Sequence, residues 1–166
     1  MDTQQLNASA IRIGIEPADG VDAAWCLRQY YTELARRFDS GFDPALSISA
    51  SAAELTPPAG YFVIARNALQ PVGCGALKVK DGGVGEIKRM WVDASMRGLG
   101  VGKGVLQLLE QTAREHGLRL LRLETNQTLK EAQALYRRSG YREVRAFNDE
   151  PYAHHWFEKT LAPLAR

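Results

Sequence analysis

Very little in this sequence can hold a metal or staple a fold. It has 2 cysteines and 3 histidines in 166 residues. Cys26 and Cys74 show neither a disulfide framework nor metal-ligand spacing, so both are expected to be small packing residues in a reducing, cytoplasmic setting, with no metal bound. Long apolar runs are missing as well, which removes a bilayer-spanning helix from the expectations. The opening stretch "MDTQQLNASAIRIGIEP" lacks the basic-then-apolar order of a signal peptide. Excess charge of one sign is also absent: 21 Lys and Arg face 19 Asp and Glu, a net charge of +2. Such a balance leaves no electrostatic footprint for nucleic acid. What is there, 45% hydrophobic and 24% charged residues, is the composition of a globular domain. The length suits one domain over 1–166 with its own core.

Periodicity along the chain alternates between 2 and 3.6. "IRIGIEP" reads as a first strand, and Val21 to Phe38 as an amphipathic helix with Trp25, Leu27, Tyr30, Leu34 and Phe38 on its apolar side. A long loop rich in Gly, Pro, Ser and Asp follows, with one short helical turn at Ala52–Leu55. Loops of that length in a compact domain are often functional. "YFVIAR" and "PVGCGALKVK" read as strands joined by a turn at "NALQ", and "GEIKRMWV" as a further strand. Lys103 to His116 reads as a helix closed by Gly117, "LRLLRLET" as a strand, and "LKEAQALYRRSG" as a helix ending at Gly140. "YREVRAF" and "AHHWFEKTL" are the last two strands, joined by "NDEP". The order predicts an α/β fold with a mixed, mostly antiparallel central sheet flanked by helices. The last strand is expected at an open edge, where a second copy could pair to form a homodimer.

Gly98, Gly100 and Gly102 alternate with other residues in "MRGLGVGKGVL", Met96 to Leu106, between a strand and a helix. The spacing fails the dinucleotide fingerprint, because Lys103 stands where its third glycine belongs. It also fails the P-loop, because Arg97 stands at the first glycine position and Gly104 follows the lysine. What remains is an arginine-led R-x-x-G-x-G turn made by Arg97, Gly100 and Gly102. Such a turn aims successive backbone N–H groups at one spot, at the positive end of the following helix, and so makes an anion site. A glycine-rich turn with no ligand is the plainer reading of that stretch alone.

The turn does not stand alone. "EIKRMWVDASMRGLGVGKGVLQLLE", then "LRLET", then "EAQALYRRSGY" resemble, in that order and spacing, the GCN5-related N-acetyltransferase (GNAT) superfamily. The core of the match is about residues 84–142, and the resemblance extends over nearly the whole chain. It implies the acyl-CoA N-acyltransferase fold and transfer of acetyl from acetyl-CoA to an amine, by direct attack in a ternary complex. Arg97, Gly98, Leu99, Gly100, Val101, Gly102 and Lys103 would hold the CoA pyrophosphate. Met90, Trp91 and Val92 would bond to the pantetheine arm and the acetyl carbonyl. Asn126 and Ala132 lie where the family lines the thiol end of the cleft. Many members carry an asparagine seven places before a tyrosine that protonates the departing thiolate; the tyrosine matches Tyr136, and Leu129 stands at the asparagine's place.

An ammonium must lose its proton before it attacks, so the reaction calls for a base. The sequence offers Glu86 on the central strand. Strict alternation puts Glu86, Lys88, Met90 and Val92 on one side and Ile87, Arg89 and Trp91 on the other. Its competing role is an ion pair with Lys88 or Arg89. Tyr136, the candidate acid, could equally be a core residue on an apolar helix stripe. His154 and His155 alternate in direction, so at most one serves a site, as a second candidate base or as part of an acceptor pocket. The loop after the first helix and the last hairpin supply Phe38, Phe42 and Tyr152 as candidate substrate contacts alongside His154. The favoured acceptor is the primary amine of a small molecule. A protein or peptide amine is the alternative within the enzyme class, and a non-catalytic acyl-CoA-binding module the alternative outside it.

Overall fold

The computed structural model describes residues 10–164. Seven strands form one sheet: β1 (Ile11–Glu16), β2 (Gly60–Asn67), β3 (Gln70–Lys80), β4 (Val84–Val92), β5 (Leu120–Thr125), β6 (Arg142–Val144) and β7 (His155–Thr160). Three helices accompany it: α1 (Val21–Arg37), α2 (Val101–Glu115) and α3 (Lys130–Arg138). The spatial order is β1-β2-β3-β4-β5-β7-β6. Every neighbouring pair is antiparallel except β4 and β5, which run parallel. The mixed, mostly antiparallel sheet expected from the element order is therefore present.

The continuous apolar run "YFVIA" of β2 has no polar alternation because both of its faces are covered. Tyr61, Val63 and Ala65 join the core under α2 and α3, together with Val105, Leu109, Leu123 and Phe157. Phe62 and Ile64 join the core under α1, with Cys26, Cys74 and Trp91. Both thiols are buried and unbridged, so they act as packing residues. Helix α2 buries Val101, Val105, Leu106, Leu109 and Ala113 along one stripe. Helix α1 buries Ala23, Cys26 and Leu34 but leaves Trp25 and Tyr30 only partly covered. Tyr30 and Tyr31 of this helix line the cleft described below.

One expectation about the last strand does not hold. β7 lies between β5 and β6, and the three-residue β6 takes the edge. The chain turns back on itself after α3, so the apolar side of β7, centred on Phe157, is consumed within the sheet. The last strand is therefore not an edge of the sheet; the edges are β1 and β6.

The sheet also breaks in the middle. β4 and β5 pair only at Val84–Leu120, Gly85–Leu121 and Glu86–Arg122. Beyond Glu86 they diverge. The cause lies on the other side of β4, where Ala76 pairs with Lys88 and Cys74 with Trp91. Gly75 alone thus faces both Arg89 and Met90, a β-bulge on β4. Arg89 takes φ 58°, the left-handed region that a non-glycine residue rarely occupies. A Cβ at position 75 would sit 2.6 Å from Met90 Sδ, so glycine there makes room for the side chain the bulge turns inward.

Candidate active site

The divergence of β4 and β5 opens two cavities that meet at a waist. The larger, about 550 Å³, runs from the waist toward the glycine turn. The smaller, about 110 Å³, lies on the other side under the long loop after α1. Tyr30, Leu34, Met90, Leu129, Ala132 and Tyr136 line both. These residues come from α1, β4 and α3, so the waist exists only where the three elements converge.

The larger cavity ends on the turn before α2. Gly98 and Gly100 have φ 79° and 82°, a conformation that Cβ-bearing residues resist, and nothing lies within 4 Å of where their Cβ atoms would be. Among the described residues, no backbone N–H from Gly98 to Lys103 donates to a protein acceptor; the first paired amide is Gly104 N–H, bonded to the Gly100 carbonyl. A row of unpaired N–H groups at a helix N-terminus is a cradle for a phosphate group. Arg97, Lys103 and Arg138 line the same cavity. The residues present therefore fit a long ligand with an anionic head and an apolar tail reaching the waist.

Two carboxylates hold the mouth of that cavity from opposite sides. Glu33 on α1 pairs with Arg97, and Glu131 on α3 pairs with Arg37. The Arg37 guanidinium also donates to the Thr128 carbonyl at 2.9 Å. Its hydrogen bond pulls the Glu131 carboxyl down to about 2. The α1–α3 link thus spans the cleft and fixes its width.

The smaller cavity has an aromatic wall and a charged floor. Tyr31, Phe42, Tyr152 and Phe38 form a connected series, with ring centroids 5.3 Å (Tyr31–Phe42), 4.9 Å (Phe42–Tyr152) and 5.6 Å (Phe38–Tyr152) apart. The loop segment Ser47–Ala50 closes it from above. Glu150 pins this loop, accepting from Ile48 N–H at 2.6 Å and from the Ser47 hydroxyl at 2.9 Å. On the floor, Lys88 Nζ lies 3.8 Å from Glu124 Oε1, with side chains only 9% and 12% exposed. Burial pushes the Glu124 carboxyl above its ordinary value; Lys88 opposes the shift and Glu86 adds to it. Tyr136 is also pushed up, first by burial and then by the Glu124 charge, so its hydroxyl keeps its proton. Among the described residues, neither the Tyr136 nor the Tyr30 hydroxyl bonds to another side chain or to backbone.

Ten of the residues read from the sequence as cofactor contacts line the larger cavity: Met90, Trp91, Val92, Arg97, Gly98, Gly100, Val101, Gly102, Lys103 and Ala132. Leu99 does not; it packs against the core. Asn126 lines the smaller cavity instead. Its amide donates to the Tyr152 carbonyl at 2.7 Å and its oxygen accepts from Thr128 N–H at 2.9 Å, so it ties the end of β5 to the last loop. Phe38, Phe42 and Tyr152 line the smaller cavity. His154 lines neither; its Nδ1 accepts from Gln127 N–H at 3.1 Å. His155 faces Glu143 at 2.8 Å, away from both cavities.

Strict alternation along β4 is overturned. Glu86 and Lys88 share the α1 side of the sheet with Trp91, whereas Met90 and Val92 face α2 with Ile87. The extra residue in the bulge inverts every side chain after it. Glu86 lies at the last paired position of β4 and β5, lines neither cavity, and has Lys80 Nζ at 3.9 Å. Glu124, Arg89, Lys88 and Tyr30 are site residues that the sequence reading missed. For Glu124 a signal existed: in "LRLLRLET" the alternation sets Arg122 and Glu124 opposite the buried Leu121 and Leu123. For Arg89 there was none, because the bulge that turns it depends on the facing strand.

Comparison with known proteins agrees with this geometry. The model described as "Acetyltransferase (GNAT) family" matches residues 27–141. A protein of Azospirillum brasilense named IAA acetyltransferase is 39% identical over 99 residues, which is 59% of this chain and 63% of that relative, less than two thirds of its length. A Klebsiella pneumoniae structure described as a candidate acyl-CoA N-acyltransferase superposes with TM-score 0.75 at 27% identity, over 94% of this chain and all of its own. The PaiA N-acetyltransferase of Thermoplasma acidophilum, solved in complex with coenzyme A, has the same fold, with TM-score 0.68 at 13% identity over 90% of this chain and 99% of its own.

Proposed function

The chain belongs to the acetyltransferase (GNAT) family, and from that premise we propose that it moves the acetyl group of acetyl-CoA to the primary amine of a small molecule. The observation that carries this reading is the meeting of the two cavities at Met90 and Tyr136. The unpaired N–H groups from Gly98 to Lys103 take the pyrophosphate, and Arg97 and Lys103 add charge. The pantetheine arm then runs along Met90–Val92 to the waist, where the splayed β4 leaves backbone groups unpaired by β5. The acceptor enters from the smaller cavity. The pinned Ser47–Ala50 segment makes that cavity a covered pocket rather than an open groove, which favours a small molecule over a peptide.

Glu124 suits the base better than Glu86 does, because it lines the acceptor cavity and burial has raised its proton affinity. Its carboxylate takes the proton of the acceptor ammonium. The freed nitrogen bonds to the thioester carbonyl carbon; as the carbon–sulfur bond breaks, Tyr136 gives its proton to the departing thiolate and its phenolate takes the second proton of the nitrogen, leaving a neutral amide, a neutral thiol and a neutral tyrosine. Tyr136 suits that role because burial holds it protonated and its hydroxyl is not engaged by the protein.

A calorimetric titration with acetyl-CoA, followed by a thiol-release assay over a panel of primary amines, tests the reading. Binding together with thiol release is the expected result. Binding without release across the panel points to a non-catalytic acyl-CoA module. No binding overturns the assignment of the glycine turn.

A further inference from the structure

From Arg89 we infer that the acceptor is an amine that also carries a carboxylate, on an aromatic or similarly flat apolar body. The inference rests on the acetyltransferase reading for which end reacts, but its anion-binding part stands on the small cavity alone.

Two cations and two carboxylates line that cavity, but they are not matched one to one. Lys88 is matched by Glu124 at 3.8 Å. Glu150 is used by the loop it pins. Arg89 also lines the cavity, and among the described residues no carboxylate lies within ion-pair distance of it. Its guanidinium makes one hydrogen bond, to the Ala50 carbonyl. A guanidinium presents five N–H donors in a rigid fork, so most of its capacity is left for a ligand. A half-buried cation with no anion carries a desolvation cost that a carboxylate would offset.

The backbone says the same. Arg89 sits at φ 58°, a left-handed conformation that a side chain with a Cβ rarely takes. Such a conformation persists where the surroundings over-determine it, and here the bulge is what places Arg89 and Met90 on the cavity at once. The opposite wall is the connected aromatic series Tyr31, Phe42, Tyr152 and Phe38. A flat apolar group packs on that wall, its carboxylate on Arg89, and its amine beside Glu124, which points the nitrogen at the waist. An amine without the carboxylate leaves Arg89 uncompensated, and a site built for a polar partner discriminates strongly against a ligand that lacks it.

The test is a calorimetric titration of the CoA-loaded protein with L-phenylalanine and, separately, with phenethylamine, which has the same ring and amine but no carboxylate. L-phenylalanine is expected to bind at least about tenfold more tightly. Arg89→Gln should narrow the ratio to within about threefold, and Arg89→Lys, which keeps the charge but loses the fork, should give a ratio between the two. Equal or tighter binding of phenethylamine, binding of neither compound, or a ratio that survives in Arg89→Gln overturns the inference. Running the same titrations without CoA separates the two claims. If acetyl-CoA fails to bind while the Arg89-dependent preference persists, the acetyltransferase reading falls and the carboxylate site remains.

Discussion

At the scale of the residue, the site depends on one carboxylate kept from ionising easily. Glu124 is largely buried beside Tyr136, with Lys88 the only cation paired to it among the described residues. Its raised pKa has a definite sign. As the proposed base, Glu124 works as the carboxylate, so activity is expected to fall as pH drops through that raised value and to be present above it. Glu124→Gln keeps the shape beside Lys88 but cannot take a proton. The expected outcome is a loss of about 100-fold in kcat/KM, with the acid limb due to Glu124 gone and only the ionisation of the acceptor amine left in the profile. A pH series of kcat/KM on both proteins checks this; an unchanged profile in the variant would move the base elsewhere, with Glu86 next in line. Glu86 illustrates how far a single strand can be read. Its identity and its strand are plain in "GEIKRMWV", but whether it faces the cleft depends on where β4 and β5 part.

At the scale of the element, the turn between β4 and α2 is the part most completely written in local sequence. Two left-handed glycines, a helix start and an arginine lie within a few residues, and the structure forms the N–H row that they imply. Gly100→Ala forces a Cβ into φ 82°. It should cost about 1 kcal/mol of stability and weaken acetyl-CoA binding, because relaxation of the turn disperses the N–H groups. Urea unfolding and acetyl-CoA calorimetry on the same variant measure the two effects, and a variant that loses stability with full affinity would show that the row is not the phosphate cradle. Strand β4 shows the opposite case. Its period-two pattern is correct up to Lys88 and inverted after Arg89, since the bulge arises from register against Gly75 and not from anything within the strand. Helix α3 carries both kinds of information: Tyr136 belongs to its buried stripe and also opens onto the waist, so the core and catalytic readings of that tyrosine do not exclude each other.

At the scale of the whole molecule, two cores on opposite faces of one sheet hold the cleft open between them. Phe157 is completely buried in β7, and its ring lies 6.1 Å from Tyr136 and 5.0 Å from the Arg137 guanidinium. Phe157→Ala should cost about 3–5 kcal/mol through lost burial and the cavity left behind. That is a large share of the roughly 5–15 kcal/mol by which domains are stable. Because the cavity opens beneath Tyr136, kcat should fall in the surviving folded fraction as well. Urea unfolding with single-turnover kinetics separates the two losses; a destabilised variant with full kcat would mean that Tyr136 is held by α3 alone.

What the sequence determined by itself is the order of strands and helices, the glycine turn with its arginine, and the match to a known family. Each is encoded in spacings of a few residues, where the period of apolar side chains and the steric freedom of glycine act locally. The tertiary structure decided the rest. It placed β7 inside the sheet rather than at its edge, inverted β4 after Lys88, and brought Glu124, Arg89 and Tyr30 to one cleft. Those outcomes come from cross-strand register and from the convergence of α1, β4 and α3, which are contacts between residues far apart in the chain, so no short window of sequence contains them.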